Sequence, residues 1–381
     1  MRRAEPMGRR TRVLIITASY GDGHLQAARS LMQAFVAQGS EDVLVMDLMK
    51  EAHPVIHKIS TTLYIQSMLI SRFGLDYYGW SYYLTRNAKF DVGFNRYVNH
   101  FGLGKMEETL EQFRPDAVVS TFPFGVVPEL CSRKGIPNYT VITDFTLHAR
   151  WVHPAVDKYY VAAKELKMQL INKGIRPDRI EVSGIPIRKA FDQASQEKSE
   201  LMPESPDPLI LVLAGSYGVL GNVDDILESL LRIEGCRLAV VCGRNQKLEK
   251  KLRMKYKDAP EVEVLGFVEH IHELMKRCTC MVTKAGGLTL SEAIALKKPV
   301  FIYKPFAGQE KENALFLSSK GIAFISEQVK QLELQMEAFL AGKYDPSELE
   351  SRLEELRKSS ASALITEDIV LHTQERQLLF R

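Results

Sequence analysis

The stretch Cys280–Asn313, CMVTKAGGLTLSEAIALKKPVFIYKPFAGQEKEN, organises the rest of the chain around it. Met281 to Thr283 end a short apolar strand, Ala285-Gly286-Gly287 is a turn without bulk, and Leu288 to Leu296 have helical spacing. A helix entered this way directs unpaired backbone N–H groups and a partial positive charge at its turn, which stabilises an anion there. At about 100° per residue, Leu290, Ala293 and Ile294 share an apolar face, while Glu292 falls opposite, with Thr289 three residues earlier. A carboxylate repels an anion, so Glu292 suits a neighbouring hydroxyl pair such as a ribose diol. After the next strand, Pro299 to Tyr303, a glycine loop brings Gln309, Glu310 and Asn313, which can bond further hydroxyls. Each residue alone fits an ordinary strand-turn-helix. Anion, diol and more hydroxyls, in that order, describe a nucleotide sugar.

KAGGLTLSEAIALKKPVF followed by PFAGQEKEN resembles the nucleotide-sugar motif of the inverting glycosyltransferases that include monogalactosyldiacylglycerol synthase, processive diacylglycerol glucosyltransferase and the lipid II-forming N-acetylglucosaminyltransferase. The resemblance implies a GT-B fold of class α/β: two Rossmann-like domains facing across a cleft, a UDP-sugar donor, and a C-terminal helix returning to the N-terminal domain. The expected divisions are 1–195 for an acceptor and membrane-facing domain, 207–350 for UDP-sugar binding, and 351–381 for the returning segment. The polar, proline-bearing run 192–208 reads as the linker.

The totals agree with this plan. A chain of 381 residues with 45% hydrophobic content can bury a large core and favours two domains. A net charge of +3 argues against a general nucleic-acid partner. The five cysteines are odd in number and lack zinc-ligand spacing, so they read as reduced packing residues in a cytoplasmic protein. The basic, then apolar start differs from a signal peptide because its apolar run is short and ends in Gly-Asp-Gly-His. No apolar run approaches roughly eighteen residues, so no transmembrane helix is expected, and membrane contact would be peripheral, on the inner face of the cell membrane.

The first half opens with a strand, Val13 to Thr17, the loop Gly21-Asp22-Gly23-His24, a helix to about Gln38, and a second strand, Val43 to Met46, ending at Asp47. On spacing alone this also matches a relaxed dinucleotide fingerprint, with Asp47 about twenty residues on as the ribose acid. An NAD-dependent oxidoreductase is therefore a rival. His24 at the helix mouth counts against it. The resemblance places His24 near the reacting hydroxyl, where a neutral imidazole can act as base. Asp144, after the strand Tyr139 to Thr143, would orient His24 or be the base itself. Residues gathered at strand ends, Thr121, Phe122, Asp144, His148, Trp151 and His153, belong beside His24.

Residues 53–105 are dense in aromatics, among them Tyr77, Tyr78, Trp80, Tyr82 and Tyr83. Basic Lys58, Arg72, Arg86, Lys89, Arg96 and Lys105 are interleaved, against only Asp76 and Asp91. Amphipathic rings and snorkelling cations suit an anionic lipid surface; a helical subdomain with an aromatic core is the alternative. Trp80, Tyr82, Arg86, Phe122, His148 and Trp151 are the acceptor or membrane candidates. The donor candidates are Gly23, Ser216 in a second glycine turn, Phe267 and Val268 in a segment that resembles the one against which the family's uracil lies, and Gly286, Gly287, Thr289, Glu292, Gln309, Glu310 and Asn313. No cofactor and no metal site is expected: Asp224-Asp225 opens a helix and answers its dipole. The reading is hexosyl transfer, UDP-glucose first, to diacylglycerol or a glycosylated one; a polyprenyl-linked or soluble acceptor is the alternative. Glucose, galactose and N-acetylglucosamine are not separated by the motif.

Overall fold

The computed structural model describes residues 11–19, 22–40, 42–55, 82–83, 102–196, 207–216, 218 and 220–379. Trp80, Arg86 and most of the aromatic and basic span lie outside them. Among the described residues, twelve strands form two six-stranded sheets, parallel throughout. The first contains β1 (Val13–Thr17), β2 (Val43–Asp47), β3 (Ala117–Ser120), β4 (Asn138–Val141), β5 (Lys158–Val161) and β6 (Ile180–Val182) in the order β2-β1-β3-β4-β5-β6. The second contains β7 (Leu209–Leu213), β8 (Arg237–Val241), β9 (Val262–Leu265), β10 (Cys280–Thr283), β11 (Val300–Tyr303) and β12 (Ala323–Ser326) in the order β12-β11-β10-β7-β8-β9.

β1 shows why these strands are continuous apolar runs. Its residues are all buried, Val13 and Ile15 against Leu31 and Phe35 on one face, Leu14 and Ile16 against Met106 and Leu130 on the other. A parallel sheet with both faces covered requires this. Strand order reverses between β1 and β3 in the first sheet and between β7 and β10 in the second. Ligands gather in the crevices outside the strand ends at such points. The two crevices face each other.

Both joints contain helix among the described residues. The supposed linker from 192 is helical to Gln196, in a helix Lys189–Gln196. Phe191 and Ala194 are buried there, in the same core layer as Met275, Leu290 and Ile294 on helices of the second domain, so hydrophobic burial holds residues up to Gln196 as helix against the domain they precede. Phe145, Ala162, Ile185 and Ile187 of the first domain enter that layer too. The tail is two helices, Pro346–Leu356 and Ala361–Leu379, separated by a turn in which Ser360 has a φ of 55°. The earlier one still belongs to the second domain, where Leu349 and Leu353 are buried.

The later one crosses back. Ile365 and Ile369 join the core layer of Val13, Leu31 and Phe35. Polar contacts orient it: Tyr160 Oη donates to Asp368 at 2.6 Å, Lys158 pairs with Asp368 at 2.7 Å, and Gln38 Nε2 donates to Thr366 at 2.7 Å. All five cysteines are free and buried. Among the described residues no helix is long and apolar enough to cross a membrane.

Candidate active site

Between the two crevices lies a cavity of about 290 Å³. Its lining includes Gly23, His24, Asp144 and Arg188 from the first domain and Ser216, Phe267, Val268, Gly286, Gly287, Thr289, Glu292, Gln309, Glu310 and Asn313 from the second. The donor candidates read from the sequence are thus brought to one place.

On the first-domain side, helix Asp22–Ala37 starts beside the end of β1, with His24 in its first turn. His24 Nδ1 lies 3.0 Å from the carbonyl oxygen of Thr121 and 2.7 Å from Thr143 Oγ1. A carbonyl only accepts, so Nδ1 carries the proton and Nε2 keeps its lone pair. Thr121 Oγ1 in turn donates to the carbonyl of His24 at 3.2 Å. Burial lowers the imidazole pKa from 6.5 to about 4, with the bond to Thr121 acting the other way. The ring is therefore neutral at ordinary pH and able to take a proton on Nε2. Its flanks are aromatic, Phe122 edge-on at 5.1 Å and Trp151 at 6.3 Å between centroids. Nearby, Tyr82 packs on His148 at 4.7 Å, and Tyr82, His148 and Trp151 are all buried. His153 is held in the turn before β5, accepting from Ala155 N and donating its backbone N–H to Tyr159 Oη.

Asp144 is placed differently from the expectation that it orients His24. Its carboxylate receives Asn313 Nδ2 at 3.1 Å and Gln309 Nε2, while the imidazole is held by the two threonines. Burial raises its pKa to about 6, opposed by those two amides.

On the second-domain side, helix Gly287–Ala295 begins at Gly286 and points its first turn into the cavity. Gly287 carries no Cβ for a reason: one would collide with the carbonyl oxygen of Thr143 across the seam. Gly286 has open space around it. Glu292 is buried, and Arg188 grips it as a fork, Nε to Oε1 at 2.7 Å and Nη2 to Oε2 at 2.9 Å. Two of the carboxylate's roughly four acceptor positions are thereby used. Glu310 Oε1 accepts from Lys284 Nζ at 2.6 Å, and Oε2 is buried with no protein partner. The exposed ring of Phe267 lies under the Arg244 guanidinium at 5.5 Å. Gly243 and Gly215 bring the loops after β8 and β7 together, since a Cβ on Gly243 would stand 2.5 Å from the Gly215 oxygen.

Sequence reading missed Arg188, Thr143, Lys284 and Arg244. Arg188 sits in SGIPIRKAF, which reads only as a domain end. Its single signal is a cation before a helix, beside a buried carboxylate that needs one. Asp47, the ribose acid of the dinucleotide alternative, is consumed locally. Its Oδ2 accepts from Ser19 N at 3.0 Å and from Ser19 Oγ, and its Oδ1 caps the following helix through Lys50 N at 3.0 Å. Asp224 is paired with Lys251 and Lys255 at 2.7 and 2.6 Å. No group of three or more His, Cys, Asp or Glu side chains among the described residues is arranged to hold a metal ion.

Residues 24–187 match the family model of monogalactosyldiacylglycerol synthase and residues 196–359 that of glycosyl transferases group 1. A processive diacylglycerol beta-glucosyltransferase of Bacillus cytotoxicus is 38% identical over 374 residues, 96% of this chain and 95% of that protein. Its Bacillus subtilis counterpart is 36% identical over 378 residues, 97% of each. Among solved structures, Acinetobacter baumannii MurG superposes with a TM-score of 0.61 at 14% identity, covering 93% of this chain and 98% of that one. Staphylococcus aureus MnaA with UDP gives 0.60 at 14% identity, covering 97% of each. With both halves matched and more than a third of the residues identical along nearly the whole length, the chain belongs to the family of processive diacylglycerol beta-glucosyltransferases and is a hexosyltransferase of GT-B fold.

Proposed function

We propose that this chain transfers glucose from UDP-glucose to the hydroxyl of a diacylglycerol or a glycosylated diacylglycerol, with inversion at the sugar carbon. The observation that carries this is the position of His24, its proton held on Nδ1 at the boundary between the donor cavity and an aromatic cluster. In this reading the acceptor oxygen attacks C1 in line, its proton passes to Nε2, the bond from C1 to the phosphate oxygen breaks, and UDP leaves. Charge on the departing diphosphate is met by the N–H groups opening helix Gly287–Ala295, by Ser216 and by the Nη1 edge of the Arg188 guanidinium that the fork to Glu292 leaves over, with no metal in the step. The uracil lies at Phe267 and Val268, the ribose at the remaining lone pairs of Glu292, and the sugar hydroxyls at Gln309, Glu310 and Asn313. The orphaned Oε2 of Glu310 supports that last assignment.

Phe122, His148, Trp151 and Tyr82 line the acceptor side in this proposal, and the chain docks peripherally on the inner face of the cell membrane through the span 53–105. Closure of the cavity between two domains keeps water from the donor, whose hydrolysis is the competing reaction. The test is incubation with diacylglycerol and a panel of UDP-sugars, with and without EDTA, followed by mass spectrometry of the lipids. Glucosylated lipid formed equally in EDTA is expected. Transfer only to a polyprenyl-linked or soluble acceptor, or dependence on a divalent ion, would overturn the corresponding part.

A further inference from the structure

Three consecutive residues after β4 reach both halves of the site. Thr143 Oγ1 holds His24 at 2.7 Å. The Phe145 backbone N–H donates to Asn313 Oδ1 at 2.9 Å, and its ring stacks on Phe316 at 5.5 Å and 18°. Between them, Asp144 takes the amides of Asn313 and Gln309. These bonds determine which end of each amide points where. Asn313 must turn Oδ1 to the Phe145 N–H and Nδ2 to Asp144 and to the carbonyl of Ala285 at 3.2 Å. An ionised carboxylate only accepts, so Gln309 must turn Nε2 to Asp144. What Gln309 then offers to the cavity it lines is Oε1.

We infer that Asp144 is a positioning residue that sets the amide orientation of Gln309 from across the domain seam, so that Gln309 accepts a hydrogen bond from a donor-sugar hydroxyl. The inference rests on the proposed donor site. It separates Asp144 from proton transfer, which it would otherwise share with His24. It also makes one short segment hold the base and the sugar-facing amide of Gln309 together, so acceptor and donor geometry are established in one piece of chain.

Asp144→Asn tests this because it keeps the hydrogen bonds and changes their direction. The introduced amide can accept from Asn313 only if its NH₂ faces Gln309, and Gln309 then reverses and presents Nε2 to the sugar. Calorimetric titration with UDP and with UDP-glucose, and steady-state kinetics with diacylglycerol, read the result. Expected are unchanged UDP affinity and melting temperature, UDP-glucose affinity weakened about tenfold, as for one lost hydrogen bond, and a raised donor KM. Asp144→Asn combined with Gln309→Glu restores an acceptor to the cavity while still bonding the introduced amide, and should recover most of the loss. A fall in kcat with UDP-glucose affinity intact would assign Asp144 to catalysis and overturn the inference, as would equal weakening of both ligands with a lowered melting temperature. Failure of the unaltered chain to bind UDP would instead sink the donor site, and the inference with it.

Discussion

The Arg188 guanidinium and the Glu292 carboxylate meet across the domain seam as a two-pronged pair, at 2.7 and 2.9 Å. Glu292 is buried, whereas the Arg188 side chain is 35% exposed. Burial raises the Glu292 pKa and Arg188 counters it. Arg188→Ala removes that counterweight. Breaking a fully buried pair costs roughly 3–5 kcal/mol, and the partial exposure of Arg188 reduces the expectation to about 1–3 kcal/mol. With the folded pKa above the unfolded one, the folded state holds the extra proton, so stability falls as pH rises through that window. Melting curves of Arg188→Ala at acid and neutral pH should show the larger deficit at neutral pH, and adding Glu292→Gln should recover most of it. An equal deficit at both would separate the loss from the carboxylate.

His24→Ala should lower kcat roughly a hundred- to ten-thousand-fold while UDP affinity stays unchanged, as measured by calorimetry beside turnover. Undiminished turnover would remove it as the base. Its pKa of about 4 is below the unfolded value of 6.5, so between these the unfolded chain binds more protons. Stability contributed by the neutral ring is therefore present above pH 6.5 and is lost as pH falls toward 4. His24→Gln should flatten that part of the acid-unfolding profile.

The adjacent glycines separate seam from site. Gly287→Ala places a Cβ against the Thr143 backbone, which cannot yield as a flexible side chain would, and should destabilise the fold by about 1–3 kcal/mol. Gly286→Ala meets open space at a φ of −72°, so melting should stay within about 0.5 kcal/mol of the parent while UDP binding weakens. Equal melting temperatures for the two variants would contradict the close approach.

Membrane docking is checked by sedimentation with liposomes. Binding should require anionic lipid, fall with salt, and weaken when Arg72, Arg86 and Arg96 are neutralised together, at about 1 kcal/mol for each cation near the surface. Indifference to lipid charge and to all three changes would remove span 53–105 as the docking surface.

Local pattern made much of this chain legible. The apolar runs at Val13–Thr17 and Leu209–Leu213 coincide with β1 and β7, because a doubly covered parallel strand has no polar face to vary. Gly286, Gly287, Thr289, Glu292, Gln309, Glu310 and Asn313 were readable as a set since two successive strand–turn–helix units deliver them to one crevice. The break between the tail helices at Ser360 and the helix Lys189–Gln196 were not, because a turn and a polar run look alike until burial of Phe191 or Ile365 selects between them.

Two Rossmann-like sheets, a glycine-entered helix start and the types of group around it are all properties of residues close together in the chain, and the order of amino acids specifies them. The partners are another matter, for they exist only once the domains have docked. Arg188 and Glu292 lie 104 positions apart, and Asp144 lies 165 from Gln309 and 169 from Asn313. No periodicity relates residues so distant. Their pairing follows from how two separate sheets meet, where each buried polar group must find a partner on the facing surface.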